Sequence, residues 1–178
     1  MKVKFLLLLF FYSGFVVAEN HIIFIDITNN NKNNISVKPQ LNFHTSPQIK
    51  EAIDNGIRIN VIAKTDLFEP QSLWFDKSIK QKKITLEVSY FSLGKHYKIK
   101  NLKTDEQIGV NDYSQIWKEI EKLMVFEFSN SLITSKSWIK LRIMLDKGAL
   151  PIAMQLPVLF DSNWDINTPW HKQKVKQK

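Results

Sequence analysis

The sequence predicts an α+β fold: an antiparallel sheet of about six to seven strands, two main helices packed on one face, and the other face partly wet. Three observations carry the prediction. Apolar and polar residues alternate in paired segments that flank turn-forming residues, the trace of hairpins with one buried side. Two stretches between these pairs switch to apolar spacings of three and four, the trace of a helix resting on a sheet. The order is hairpin, helix, strand, and then hairpin, helix, strand again. That order admits a duplication of one ββαβ unit, although residue matches between the halves are poor.

The first hairpin runs from the isoleucine-rich His21–Thr28, across the polar run Asn29–Asn34, to a segment marked by Ile35, Val37, Leu41 and Phe43. Pro39 has no N–H to give to a ladder, which argues for a sheet edge or a bulge at that point. A short helix follows, with Thr45 or Ser46 as cap, Pro47 at its first position and Gly56 as its stop. Ile49, Ala52 and Ile53 share one of its faces. Ile57, Ile59, Val61 and Ala63 then alternate with Arg58, Asn60 and Lys64 as a half-buried strand. Residues 66–83 read as a connection that carries Trp74 and Phe75. A second, stronger hairpin pairs Ile84, Leu86, Val88 and Tyr90 with Tyr97 and Ile99 across a turn at Gly94. From the cap Asp112 the period becomes helical, with Tyr113, Ile116, Trp117, Ile120, Leu123 and Met124 on the apolar face. Residues 125–134 fit either an extension of that helix or a strand. Ser137–Asp146 is the clearest strand: Ile139, Leu141, Ile143 and Leu145 face one way, Lys140, Arg142, Met144 and Asp146 the other.

The two ends read differently. Lys2 and Lys4 precede an apolar run from Phe5 to Val17, and Val16 and Ala18 are small residues at the positions a signal peptidase reads. Residues 1–18 are therefore expected to be a secretory signal, too short for a membrane span of about 20 residues, with cleavage before Glu19. An uncleaved anchor is the competing reading. Residues 19–170 are then a single α+β domain and 171–178 a basic flexible tail. The 178-residue chain carries a formal +8, but Lys2, Lys4, Lys172, Lys174, Lys176 and Lys178 supply six of those charges, so the body is near balance. That argues against nucleic acid as a partner. There is no cysteine, hence no disulfide framework and no thiolate metal site, which fits a bacterial periplasm.

No catalytic motif is found, and the chain is read as a non-enzyme with no cofactor. His21, His44, His96 and His171 share no metal-ligand spacing, so no metal site is assigned. A hydrolase using His96 or His44 with an acidic partner ranks last. Asp161-Ser-Asn163-Trp-Asp165 opens like a calcium loop, but Ile166 and Lys172 stand where such a loop needs glycine and glutamate; a turn rich in Asx residues explains it better. Two features remain as candidate binding sites. Arg142 and Asp146 share the polar face of the last strand, where a surface salt-bridge network is the alternative. Trp164 and Trp170 stand among Pro151, Pro157 and Pro169, where they either line a groove or clamp an irregular segment onto the domain.

The stretch Leu141-Arg142-Ile-Met-Leu145-Asp146, Leu150-Pro151, Gln155, and Trp164 followed by Trp170 resembles the ending of the DUF-4390 proteins, a proteobacterial exported family of unknown function. Leu86, Tyr90, Leu93 and Tyr97 resemble that family's hairpin, Trp74 the tryptophan before it, and Glu51–Gly56 its helix segment. The likeness spans nearly the whole mature chain. Asn167 and Thr168 depart from the serine between the tryptophans, and Ile152-Ala153 from a more proline-rich step. The resemblance implies a small envelope protein, often encoded beside a membrane sensor kinase of the nitrogen-regulation type and a ribosomal RNA methyltransferase, and carries over no catalytic residues.

The expectation is a periplasmic, non-enzymatic interaction module, not membrane-spanning once the signal is removed. It would bind a protein partner, such as the external part of a sensor kinase, through Arg142, Asp146, Trp164, Trp170 and Trp74. The alternative is a carrier of a small apolar ligand or lipid.

Overall fold

The computed structural model describes residues 21–31, 33–73 and 75–176. The expected signal at residues 1–18 and the candidate Trp74 lie outside the described residues. The α+β class holds, and the strands divide between two antiparallel sheets. Strands β1 (His21–Asn31), β2 (Asn34–Asn42) and β7 (Phe126–Ser129) form a three-stranded sheet in the order β1-β2-β7. The second sheet runs β6-β5-β4-β3-β8-β9. Its strands are β3 (Ile59–Glu69), β4 (Lys77–Phe91), β5 (His96–Asn101), β6 (Gln107–Val110), β8 (Trp138–Leu145) and β9 (His171–Lys174). Residues 125–134, open in the sequence, thus hold a strand. The two halves also trade strands: β3 joins the second hairpin and β7 joins the first.

Helix α1 (Pro47–Asp54) starts as its sequence dictates. The Ser46 hydroxyl accepts from the Ile49 N–H at 3.3 Å, Pro47 gives up no needed hydrogen bond at the first position, and Gly56 ends the turn at φ +85°. It packs on β4, while α2 (Ile116–Leu123) packs on β2 and β5. Asp112 accepts from the Ser114 N–H at 2.9 Å and caps a 3-10 turn leading into α2. Ile49 and Ile53 of α1, Ile116 and Ile120 of α2, and the inner faces of both sheets make one continuous core. Burying side chains of this size stabilises by about 1.5–3 kcal/mol each. At the outer side of α1, the Tyr97 hydroxyl donates to Asp54 at 2.6 Å and the Lys50 ammonium bonds the other carboxylate oxygen. Burial pushes the Asp54 carboxyl up, but the two bonds outweigh it and hold the pKa below the ordinary value. Burial and the same bond push the Tyr97 hydroxyl up.

Pro39 sits in β2, the central strand of its sheet, yet β7 covers β2 only from Asn34 to Val37. Pro39 therefore lies beyond the end of β7, where no partner on that side asks for its missing N–H. Residues 66–83 are mostly strand rather than connection. Pairing continues from Asp66↔Gln81 to Glu69↔Lys77, so the chain reverses between Glu69 and Lys77. The sequence obscured this because Ile79 is the one apolar residue from Lys77 to Lys83, so no apolar period reports it. A register shift at Leu67/Phe68 lets both side chains bury.

The C-terminal segment is a correction to the expected free tail. Residues His171–Lys174 pair with Trp138–Leu141 as β9, and Val175 is buried in the core. Lys172 and Lys174 point out while Gln173 points in, an alternation that a count of lysines conceals. The Gln173 amide accepts from the Ile25 N–H at 3.0 Å and donates to the Ile25 carbonyl at 2.6 Å. It stands in for a strand's peptide group and joins β1 of one sheet to β9 of the other. No helix among the described residues is long and apolar enough to cross a membrane.

Candidate functional site

Alternation along each strand puts successive side chains on opposite faces, so the register of the six-stranded sheet fixes which residues meet on its outer side. Lys83 on β4 lies opposite Lys64 on β3, and Lys64 lies opposite Arg142 on β8. Three cations thus stand side by side across three strands, and none has a carboxylate within ion-pair reach among the described residues. Like charges directly opposite each other on a sheet are destabilising. The next row holds Asp66 and Lys140 on β3 and β8, with Lys172 on β9. The Asp66 side chain is only 4% exposed, receives the Ser78 hydroxyl at 2.6 Å and lies 3.3 Å from the Lys140 ammonium.

Trp170 roofs this arrangement. Its ring centre is 4.6 Å from the Arg142 guanidinium and 5.5 Å from the Lys140 ammonium, both within cation–π range. The Arg142 Nε is buried and has no hydrogen-bond partner among the described residues. Phe68 carries Lys140 at 5.0 Å and Lys172 at 5.5 Å. A recess of about 410 Å³ opens between Lys64, Gln81, Lys83, Lys140, Arg142 and Trp170. An always-charged guanidinium held beneath an indole cannot act as an acid or base at neutral pH, but it can hold an anion.

The structure gathers Arg142 and Trp170 into one site. Asp146 shares the face of Arg142 but stands four positions further on, about 13 Å away at ~3.3 Å per residue. Its N–H donates to the Asn60 carbonyl at 2.8 Å as the chain leaves β8. Trp164 is 7% exposed and belongs to the core, on a 3-10 turn that Asp161 caps. Asp161 accepts from the Asn163 N–H at 2.9 Å and Asp165 from the Asn167 N–H at 3.0 Å, so this stretch consists of Asx turns.

A second surface was missed in the sequence. Residues Ile152–Phe160 form helix α3, with Pro157 inside it. Ile152, Leu156, Leu159 and Phe160 are 87%, 69%, 57% and 89% exposed, and Val158 alone is buried. The helix has no charged residue, and its one amide side chain, Gln155, donates to the Gly148 and Leu150 carbonyls at 3.0 and 2.9 Å. Lys147 donates to the Val158 carbonyl at 3.0 Å. The signal that could have found it is an apolar run with a single polar residue following Pro151; the three prolines drew it instead toward an irregular segment.

No curated protein and no solved structure matches this chain. The family model described as "Domain of unknown function (DUF4390)" matches residues 19–174, nearly the whole described structure. The chain belongs to the DUF4390 family.

Proposed function

We propose that this protein is a non-enzymatic interaction module of the bacterial envelope that binds a protein partner through α3. The observation that carries the reading is the exposed apolar stripe of Ile152, Leu156, Leu159 and Phe160 on a charge-free helix. Exposed apolar side chains that cluster in this way mark association surfaces, and a solitary domain gains nothing from them. The helix lies in the C-terminal segment between Asp146 and Trp164, and Trp164, buried at its exit, clamps that segment to the core. The secretory character of residues 1–18 supports a periplasmic setting. The external part of a membrane sensor kinase is the partner we favour, on the family resemblance. The carrier reading has less support: the interior space between α1, α2 and the sheet amounts to about 10 Å³, no more than one water needs.

The test is a photo-crosslinking residue at Leu156, expressed in the cells that make the protein, with the same residue at exposed Lys95 as control. The proposal expects one membrane protein captured from Leu156 and not from Lys95. Phe160→Asp should abolish that adduct. Identical capture at both positions, or none at either, would overturn it.

A further inference from the structure

We infer that the outer face of the six-stranded sheet, together with Leu73 and Phe75 beyond the end of β3, is a docking surface for an anionic phospholipid bilayer. The inference is independent of the α3 reading and concerns the opposite end of the molecule. Leu145, just before the α3 segment, pairs with Val61 near the start of β3, whereas Leu73 and Phe75 follow the end of β3.

Charge complementarity identifies the occupant. Glu87 and Asp146 lie further along the same face, Glu87 at 3.8 Å from Arg58; around the recess, Lys64, Lys83, Lys140, Arg142 and Lys172 stand against two carboxylates, Asp66 and Asp76. One of these, Asp66, is buried and already bonded. The row Lys83–Lys64–Arg142 costs stability through its like charges, and a layer of phosphates would turn that cost into attraction. The cations spread over four strands in two rows, a wider distribution than one small anion spans and one that several head groups can meet. Trp170 adds an amphipathic ring of the kind that settles at a membrane interface.

A second observation separates a bilayer from a soluble anion. Between β3 and β4, at the same end of that ribbon, Leu73 is 95% and Phe75 84% exposed. Asp76 lies 3.6 Å from Lys172, so the chain next to Phe75 abuts the cationic face directly. Apolar side chains beside a basic patch are what interfacial binding requires, one entering the acyl boundary and the other meeting the phosphates. A soluble phosphate or an acidic peptide has no use for the apolar tip.

The experiment is sedimentation of the chain beginning at Glu19, which holds every residue of the described core, with vesicles of phosphatidylcholine alone or with one third phosphatidylglycerol. The expected result is binding to the anionic vesicles at least roughly tenfold tighter than to neutral ones, with each removed cation costing about fivefold. Lys64→Gln with Arg142→Gln, and separately Leu73→Ser with Phe75→Ser, should each weaken binding. Leu156→Asp should leave it unchanged. All of these side chains are at least partly solvent-exposed, and unaltered thermal unfolding verifies that the variants fold. In the parent protein, added salt should release the vesicles. Equal binding to neutral vesicles, no binding to either, or full binding by the Lys64/Arg142 variant overturns the inference. So does binding of polyglutamate or inorganic phosphate that the Leu73/Phe75 variant matches while vesicles fail. Loss of vesicle binding with the Leu156 crosslink intact would refute this inference alone.

Discussion

Thr168→Val should destabilise the fold by about 2 kcal/mol although it changes the shape of the side chain hardly at all. Strand β9 covers β8 only from Trp138 to Leu141, so the ladder on that edge of β8 ends two residues before Ile143. Thr168 continues it. The Ile143 N–H donates to the Thr168 hydroxyl at 2.9 Å, and the Thr168 N–H donates to the Ile143 carbonyl at 2.9 Å. Thr168 is 6% exposed and Ile143 is fully buried, so water cannot replace the lost acceptor. Valine keeps the backbone bond but leaves the Ile143 N–H unpaired, at a cost of about 1–3 kcal/mol for a buried donor. For a domain of this size, 2 kcal/mol lowers the melting temperature by about 4–8 °C. Thermal unfolding by circular dichroism measures the shift, and hydrogen exchange at Ile143 reports the cause, since its amide should lose protection ahead of its neighbours. Thr168→Ser, which keeps the hydroxyl, should stay within about 1 kcal/mol of the parent. A valine variant as stable as the parent would refute the idea that this hydroxyl completes the ladder.

Other outcomes follow from the geometry. The Lys50–Asp54–Tyr97 cluster should give stability a window in pH. The Asp54 carboxyl is held below its ordinary 3.8, so its contribution is present above that value and fades as pH falls through the lowered one. The Asp54 bond raises Lys50 above 10.5, and burial with the same bond raises Tyr97 above 10.0; their contributions are present below those values and fade as pH rises past them. Tyr97→Phe should therefore flatten melting temperature against pH at both ends. Gly56→Ala should cost about 1 kcal/mol in denaturant unfolding, because φ is +85° while a new Cβ would touch nothing. Leu156→Asp should change stability by less than about 0.5 kcal/mol, since the residue is 69% exposed, while weakening partner capture by tenfold or more.

Where apolar periodicity coincides with burial, the sequence was readable. Strand β8 alternates without a break, and α1 carries cap, proline and stop in register, so both emerged nearly to the residue. Where polar residues predominate, as at Lys77–Lys83, or where a strand is pinned by a single glutamine, as at β9, period carries no information and the elements were missed. The division into two sheets was out of reach for a related reason: β7 is four residues long, and the choice of β2 as its neighbour is made by packing rather than by any local pattern. The candidate site was half legible. The polar face of Arg142 could be read from alternation, but the neighbours Lys64 and Lys83 arrive from strands whose register no spacing in the chain specifies. Trp164 and Trp170 looked alike in sequence, and burial alone separates the core residue from the one over the guanidinium.

The bridge from Gln173 to Ile25 spans 148 residues of chain. It makes the molecule a closed circuit in which the earliest described strand waits for the last. Any process that handles the polypeptide from its N-terminus, whether synthesis or passage through a pore, must deliver nearly all of it before this bridge can close. Apart from that bridge β1 is an edge strand with Ile23 and Phe24 partly exposed, and while the bridge is still open that edge is a liability for strand exchange with another copy.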